Sequence, residues 1–521
     1  MLKVKVVILS TSIWIKQLIE LIGDINKSYG AVKNDTLVDL LRATYDQFTT
    51  EEKEELYLLI KNEFETDYGI YLYLLSLILY ITKDISITNT VIDYIIKNDL
   101  SLNDSLYYES QLLKVTCNYD NRRKLHNYNM LKMQRIFLNH VEKIKLDKRN
   151  KKSIVVITEQ LLGTQHSPSK IVLDMIYYLQ TIHKYHVHLF VCPTSIYKSW
   201  DTWCNYFYFN HIEELNGRTH FAYKDITIDC CQIPLKQENY ELINQEIDYI
   251  MSLEPYFIYS LGCSNAIADM FSKITTVVAQ SMDTELPCQD AQILLKLWKN
   301  NEKNSNIEHQ LTKKQRVIPY QFFYLLEDSG SRLSRKDLNL QDNQYLIAIV
   351  GNRLDDEITK EFSTKIRTII DEYDHVSFVF VGDYNKCDDY FKDLISKNRI
   401  YPLGYQDNLL SVYSCFNLYW NPPRKGGGIS ALMALKGGLP VVTLPDCDVA
   451  YHVGREFICQ NNQEEINTIK RYINDVEFNV MMKQKSYERF QKLEDCNMNN
   501  LDELVRNIEK TINEMEIENN D

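Results

Sequence analysis

The residues with the clearest chemical potential lie at 421–448, NPPRKGGGISALMALKGGLPVVTLPDCD. Two cations, Arg424 and Lys425, precede three consecutive glycines, Gly426 to Gly428, in a chain that has only 16 glycines. Glycine lets backbone amides approach a bulky anion, and the start of a helix carries about half a positive charge. Because the glycines lie between a predicted strand and a predicted short helix, we expect an anion site at the carboxyl edge of a parallel sheet.

Three classes of phosphate site compete for this segment. A P-loop requires Gly-Lys-Ser/Thr after the glycines, and Gly428-Ile429-Ser430 does not supply it. The dinucleotide fingerprint fits formally, as Gly426-x-Gly428-x-x-Ala431 with Asp446 further on, although Pro422 and Pro423 separate the strand from the glycines. The third class is a site for a nucleotide-diphosphate sugar. The spacing alone leaves the second and third classes open.

A second candidate site is the loop Gly163 to Ser169, which joins the first predicted strand to its helix. Ser167 or Ser169 is expected to cap that helix, with Pro168 in its first turn. The near-neutral pKa that is ordinary for a histidine suits His166, in this loop, to act as a general base or an oxyanion partner. We therefore take His166 as the candidate catalytic residue.

Composition narrows the partners and the compartment. The net charge of −13 makes the average surface repel nucleic acids and anionic membranes, so a phosphate site must be a local basic island. Twelve cysteines without a C-x-x-C pair predict reduced thiols and neither a zinc ribbon nor a disulfide framework. The longest apolar run, Ile70 to Ile81, is shorter than the roughly 18–20 residues of a membrane span and predicts a buried helix. No signal peptide is evident, and a cytoplasmic location is expected.

The order of elements predicts an all-helical region followed by two α/β domains. Leu, Ile and Tyr recur at helical spacing from about 13 to 144, with helix starts expected at 49–54 and 101–104. The basic segment 145–152 is interpreted as an exposed linker in preference to an anion-binding strip. A polar, irregular connection is expected at 289–342 and a last helix from 464 to about 514. The predicted strands are 153–158, 187–192, 255–261 and 275–280, then 345–350, 376–381, 418–421 and 439–444, with helices at 168–179, 264–272 and 429–436.

These pieces resemble the GT-B glycosyltransferases, especially the retaining, family 4-like group with a Glu-x7-Glu signature. The sequence GGLPVV at 437–442 matches the end of their donor-binding region, and VGNRL at 350–354, FVGD at 380–383 and LGYQDNL at 403–409 follow the expected order. The resemblance implies two Rossmann-like domains that face each other across a cleft. It divides the chain into a helical domain at 1–150, an acceptor-side domain at 151–335, a nucleotide-sugar domain at 336–480 and a returning C-terminal helix at 481–521.

The resemblance also implies roles for individual residues. Arg353 would grip the diphosphate, although Glu357 stands near the place of its usual lysine companion. Gly404 and Tyr405 would border the base of the nucleotide. The anion segment would complete the donor site with Arg424, Lys425, Gly426, Gly427, Gly428, Ile429 and Ser430. No cofactor and no metal are implied, because such enzymes commonly stabilise the leaving diphosphate with amides and cations.

Both signature acids are replaced, since their places fall at Lys425 and Met433. Their contacts to ribose and sugar would be weakened or moved, for example to Asp448. We therefore expect a glycosyltransferase that moves a sugar from a nucleotide-diphosphate sugar, of the UDP type, to a protein, peptide or glycan acceptor. The alternatives are a non-catalytic GT-B-like partner in a glycosylation or secretion complex and a dinucleotide-dependent oxidoreductase. The partners expected are the nucleotide sugar and the acceptor, with homo- or hetero-oligomers allowed and nucleic acid excluded.

Overall fold

The first described part of the chain is helical, as predicted. The computed structural model describes residues 42–520 except 83, 85, 117–118, 140, 165, 194–210, 236–238, 263–264, 282–289, 298–310, 321–325, 327–329, 425 and 446. Helix α1 begins at the expected cap, because Thr49 and Glu52 form a reciprocal capping box. The predicted apolar helix is buried within α2, and no described helix is long and apolar enough to cross a membrane. The helices are α1 (Thr50–Phe64), α2 (Tyr68–Thr82), α3 (Ser86–Lys97), α4 (Leu102–Thr116) and α5 (Tyr119–Phe137).

The next part of the chain builds an eight-stranded sheet from described residues, in the order β3-β4-β2-β1-β5-β6-β7-β8. All neighbours are parallel except β3 and β4, which form an antiparallel hairpin at one edge. Helices pack on both faces, as continuous apolar strands require. The elements are β1 (Asn150–Thr158), α6 (Ser167–Thr181), β2 (His186–Val191), β3 (Gly217–Tyr223), β4 (Ile226–Gln232), α7 (Tyr240–Ser252), β5 (Pro255–Leu261), α8 (Ala266–Phe271), β6 (Val277–Gln280), β7 (Ile293–Leu297) and β8 (Arg316–Tyr320).

Two sequence predictions for this sheet hold only in part. The connection at 289–342 is not irregular throughout, because β7 and β8 lie within it and extend the sheet. The segment 145–152 is mostly exposed, as expected, but 150–152 begin β1 and Arg149 is buried. Arg149 donates from Nη1 to Thr276 Oγ1 at 2.9 Å and pairs with Glu516 at 3.2 Å. Contacts with distant residues thus override the local polarity of both segments.

The second sheet has five parallel strands in the order β11-β10-β9-β12-β13. Its strands and the helices packed against them form the largest apolar core among the described residues. The predicted strands at 345–350 and 376–381 are found at those bounds, whereas β13 is shorter than expected. The elements are β9 (Tyr345–Val350), α9 (Leu354–Glu357), α10 (Lys360–Glu372), β10 (Val376–Val381), α11 (Cys387–Ile395), β11 (Ile400–Gly404), α12 (Leu409–Tyr413), β12 (Leu418–Trp420), α13 (Gly428–Lys436), β13 (Val441–Val442), α14 (Asp448–Val453), α15 (Asn462–Asn474) and α16 (Val476–Asn520).

Helix α16 leaves the second sheet and docks on the first. The hydroxyls of Tyr178 and Tyr185 donate to Asp502 and Glu509, one heptad apart on α16. Apolar residues on the same face enter the core of the first sheet: Leu501, Leu504, Val505, Ile508 and Ile512. The α/β fold class, with two separate and mainly parallel sheets after a helical region, is therefore confirmed, and its arrangement is the one expected of a GT-B fold.

A buried histidine joins the helical region to the first sheet. Nδ1 of His126, on α5, lies 2.7 Å from Glu109 Oε1, and its Nε2 lies 3.4 Å from Asp290 Oδ2 and 3.8 Å from Asp269 Oδ2. Arg123, one turn earlier, pairs with Asp290 at 3.2 Å. Burial alone would lower the pKa of His126, but the three carboxylates raise it well above its usual value. The ring is therefore held as a cation.

We expect His126→Gln to lower the free energy of unfolding by about 3–5 kcal/mol at pH 6, because it leaves buried carboxylates without their cation. The pKa of His126 is higher in the folded protein than its ordinary value of 6.5 in the unfolded chain. The stabilisation that this difference gives is therefore complete below pH 6.5 and is lost as the pH rises through the folded-state pKa. Burial raises the pKa of Asp269 to about 7, and the stabilisation linked to this shift is likewise lost as the pH rises. Unfolding measured from pH 6 to 10 should show the difference between wild type and variant narrowing. A difference that widens with pH contradicts the ion-pair account.

Candidate functional site

The glycine-rich segment lies where the strand order of the second sheet reverses. Strand β9 pairs with β10 on one side and with β12 on the other. The loops after β9 and β12 therefore leave the sheet at a topological switch point, where open parallel sheets bind ligands. The first loop carries Arg353 and the second carries Arg424 and the glycines.

Glycines bring the backbones of neighbouring loops into direct contact at this edge. A Cβ on Gly382 would overlap the carbonyl oxygen of Gly351, and the Gly382 amide donates to the Gly404 carbonyl at 2.8 Å. Gly382 and Gly404 both have positive φ, 121° and 67°. A Cβ on Gly351 would overlap Nη1 of Arg424. The edge is thus built from closely packed backbone, with room for one buried guanidinium.

Arg424 fixes the loop after β12. Its side chain is only 4% exposed, and its three groups have separate partners. Nη1 donates to Glu357 Oε2 at 2.7 Å, Nη2 to the Tyr419 hydroxyl at 2.7 Å and Nε to Asn421 Oδ1 at 2.9 Å. These contacts make the guanidinium a support for the glycines above it. Its predicted direct contact with a nucleotide-sugar donor stays a prediction.

The bend itself is half-buried and presents backbone amides. Gly426 and Gly427 have φ of 95° and 87°, which L side chains rarely adopt, and a Cβ on Gly427 would lie 2.6 Å from Arg424 Nη2. Gly427 is the N-cap of α13 and makes no side-chain cap, whereas Thr359, Asn408 and Asn461 cap their helices with side-chain oxygens. The first-turn amides of α13 therefore lack a capping side chain among the described residues, which suits them to an anion.

Arg353 lies over this bend. It is the N-cap of α9, its side chain is 66% exposed, and its Nε lies 3.5 Å from Glu357 Oε1. Its Nη2 would be 3.3 Å from a Cβ on Gly426. Glu357 is buried between the two arginines, so it holds one guanidinium inside and restrains the other at the surface.

Two further predicted contacts, Ile429 and Ser430, form the first turn of α13, and both are half-buried. The Ser430 hydroxyl donates to the Gly427 carbonyl at 2.8 Å and lies 3.1 Å from the Tyr419 hydroxyl. The Tyr413 hydroxyl donates to the Ser430 carbonyl at 2.9 Å. The Ser430 side chain is thus used to shape the turn, which leaves its backbone amide as the group suited to a ligand.

Gly404 and Tyr405 lie at the end of β11, beside the loop of Gly382. Tyr405 is 43% exposed, and partial burial together with Asp407 and Asp383 raises the pKa of its hydroxyl. The hydroxyl therefore stays protonated, and the ring offers an exposed flat face. Its predicted contact with a base remains a prediction.

His166 lies on the first sheet, in the loop after β1. It caps α6 itself, because its ring accepts from the Ser169 amide, so the expected cap by Ser167 or Ser169 is wrong. Nδ1 also lies 2.9 Å from Ser169 Oγ, which accepts from the Leu162 amide at 2.8 Å. Burial lowers the pKa of His166, and because Nδ1 accepts, the neutral ring carries its proton on Nε2. The ring thus presents Nε2–H as a hydrogen-bond donor, and the catalytic role of His166 stays a prediction.

The structure brings Arg353, Arg424, Gly426 and Gly427 together, while His166 belongs to the other sheet. Lys425 and Asp446 lie outside the described residues. The residues that sequence reasoning missed as parts of the site are Glu357, as the carboxylate shared by two arginines, and Tyr419, as a buried hydroxyl partner. Neither has a local sequence signal beyond its position near a strand end. The described residues contain no group of three or more ligands able to hold a metal.

Solved structures similar to this chain include several glycosyltransferases. A mutant O-GlcNAc transferase from Thermobaculum terrenum is 12% identical, with 97% of this chain and 98% of that chain covered and a TM-score of 0.49. The lipopolysaccharide glycosyltransferase WaaG is 10% identical, with 67% and 98% covered and a TM-score of 0.47. The pneumococcal O-GlcNAc transferase GtfA, solved with UDP and GlcNAc, is 8% identical, with 70% and 99% covered and a TM-score of 0.45. No protein-family model and no curated protein matches the sequence. At these scores the likenesses carry no argument about function.

Proposed function

We propose that this protein is a GT-B glycosyltransferase that binds a nucleotide-diphosphate sugar, of the UDP type, at the glycine bend. The observation that carries the proposal is the first turn of α13, which no described side chain caps and which follows a half-buried bend at a strand switch point with Arg353 above it. Oriented amides and a guanidinium together match a diphosphate in charge and geometry. The acceptor that follows from the proposal is a protein, peptide or glycan.

The chemistry asked of these residues is the stabilisation of a leaving diphosphate. Negative charge grows on the phosphate oxygens as the bond to the sugar breaks, and preorganised amides and cations favour that state. The amides of Gly427 to Ile429 and the guanidinium of Arg353 would supply this field, with Lys425 adding charge. His166, on the first sheet, would donate a hydrogen bond from Nε2 across the cleft that a GT-B fold implies.

Calorimetry separates the proposed function from its alternatives. Purified protein should bind UDP and a UDP-sugar and should not bind a nicotinamide dinucleotide. Release of free sugar or its transfer to an acceptor should accompany binding. Binding of the dinucleotide alone would replace the proposal with an oxidoreductase, and binding of none of these nucleotides would remove the donor site.

We expect Arg353→Ala to weaken UDP binding by about 1–3 kcal/mol, the contribution of a charge-assisted hydrogen bond. The control is Arg367→Ala, because Arg367 pairs with Asp393 on the surface and has no place in the proposed site. Titration of UDP into both variants measures the difference. Equal affinity of the Arg353 variant and wild type would take the guanidinium out of the site.

A non-catalytic partner protein is the second candidate, favoured by Lys425 and Met433 at the places of the two signature acids. Met433 is half-buried on α13 and packs against the apolar core of the second sheet. Binding of UDP without sugar release or transfer would support this candidate.

A further inference from the structure

A histidine ring lies directly behind the first turn of α13. A Cβ built on Gly428 would be 2.6 Å from His452 Cδ2 and 2.8 Å from its Nε2, and 3.6 Å from the Asp448 carbonyl oxygen. Gly428 does not have positive φ, so the ring, and not the backbone conformation, excludes a side chain here. His452 lies in α14, which packs against α13, and it is buried.

The ring is neutral, and a hydrogen bond from Arg489 fixes the backbone of its residue. Burial, with a smaller effect of Arg489, lowers the pKa of His452 to about 3, so the ring carries no charge at ordinary pH. Arg489 of α16 donates from Nε to the His452 carbonyl at 3.0 Å. A neutral ring behind the turn adds no charge of its own, so the positive field of the amides remains available to an anion in front.

We propose that His452 is a positioning residue of the donor site: its ring backs Gly428 and fixes the first-turn amides of α13 toward the diphosphate. The proposal rests on the proposed function, and it makes Gly428 and His452 a matched pair. A methyl group at Gly428 requires the space that the ring occupies. Removal of the ring leaves a cavity behind the turn, into which the turn can relax.

A double-variant cycle tests the pair with UDP as the ligand. Gly428→Ala should weaken UDP binding at least tenfold, because the new methyl displaces the turn from the ring. His452→Ala should weaken it severalfold. Gly428→Ala/His452→Ala should bind UDP more tightly than Gly428→Ala alone, because the methyl fills the vacated space. If the losses of UDP affinity in the two single variants simply added in the double variant, the proposal would be overturned. Unchanged UDP affinity of His452→Ala would also overturn it. His452→Ser serves in the same cycle if the alanine variant does not fold.

The control removes a ring from the other end of the same helix. A Cβ on Gly438 would overlap the ring of Tyr487, whose hydroxyl donates to the Gly437 carbonyl at 3.2 Å. Tyr487→Ala should lower the melting temperature and leave the UDP dissociation constant unchanged within about twofold. An equal loss of UDP affinity in this variant would show that any loosening of α13 has the same effect, which would overturn a specific role for His452.

Hydrogen exchange separates failure of this inference from failure of the proposed function. If wild type binds no UDP, the donor site fails. The amides of 429–432 should still exchange faster in His452→Ala than in wild type or Tyr487→Ala, without added nucleotide. Unchanged exchange at 429–432 in His452→Ala would contradict the backing role on its own.

Discussion

Glu357→Ala is expected to destabilise the protein by about 3–5 kcal/mol and to abolish measurable UDP binding. The guanidinium of Arg424 is 4% exposed, and the Glu357 carboxylate, 2.7 Å away, is its only anionic partner among the described residues. Removal of one member of a buried ion pair leaves an uncompensated charge, which costs far more than loss of an exposed pair. Arg424 would have to leave the space beneath Gly427, and the bend would move with it. Thermal unfolding and UDP titration measure the two effects.

Arg353→Ala is the matched control for this prediction. It removes the other cation that pairs with Glu357, but Arg353 Nε lies 3.5 Å from Glu357 Oε1 and the Arg353 side chain is 66% exposed. Exposed pairs contribute about 0–1 kcal/mol, so this variant should keep nearly all its stability while it loses UDP affinity. If both variants had the same unfolding free energy as wild type, Glu357 would not hold the loop.

Gly427→Ala is expected to weaken UDP binding at least about 100-fold. The φ of 87° costs an L residue roughly 1–2 kcal/mol, and the new Cβ would lie 2.6 Å from Arg424 Nη2. The bend would relax by turning its amides, and two lost charge-assisted hydrogen bonds at about 1.5–3 kcal/mol each account for the loss. UDP titration against wild type gives the ratio.

Gly437→Ala, at the other end of α13, is the control. Gly437 has φ of −75°, and its Cβ would lie 3.4 Å from Tyr413 Cβ, close to an ordinary contact distance. This variant should bind UDP like wild type. Equal weakening by both glycine variants would place the effect in the helix and not in the bend.

Elements whose signal is local could be predicted from the sequence. Strands 255–261, 345–350 and 376–381 are predominantly apolar runs and are found at those bounds. Thr49 caps α1 through a pair of residues three apart. The glycine bend was recognisable for the same reason, because a strand end, cations and glycines are adjacent in the chain.

Features that depend on distant contacts could not be predicted in this way. Arg149 sits in a run of charges that is typical of a linker, but it is buried against Glu516, hundreds of residues later. Arg424 beside three glycines resembles a free phosphate ligand, yet Glu357 and Tyr419 enclose it. In each case a partner outside the local pattern decides the role.

The most direct test of the central claim is a crystal structure of the protein soaked with UDP. The account predicts diphosphate density within hydrogen-bond distance, about 3 Å, of the amides of Gly427 to Ile429 and of the Arg353 guanidinium, with the uracil near Tyr405. UDP bound elsewhere, with the bend unchanged and without a ligand at saturating nucleotide, would contradict it.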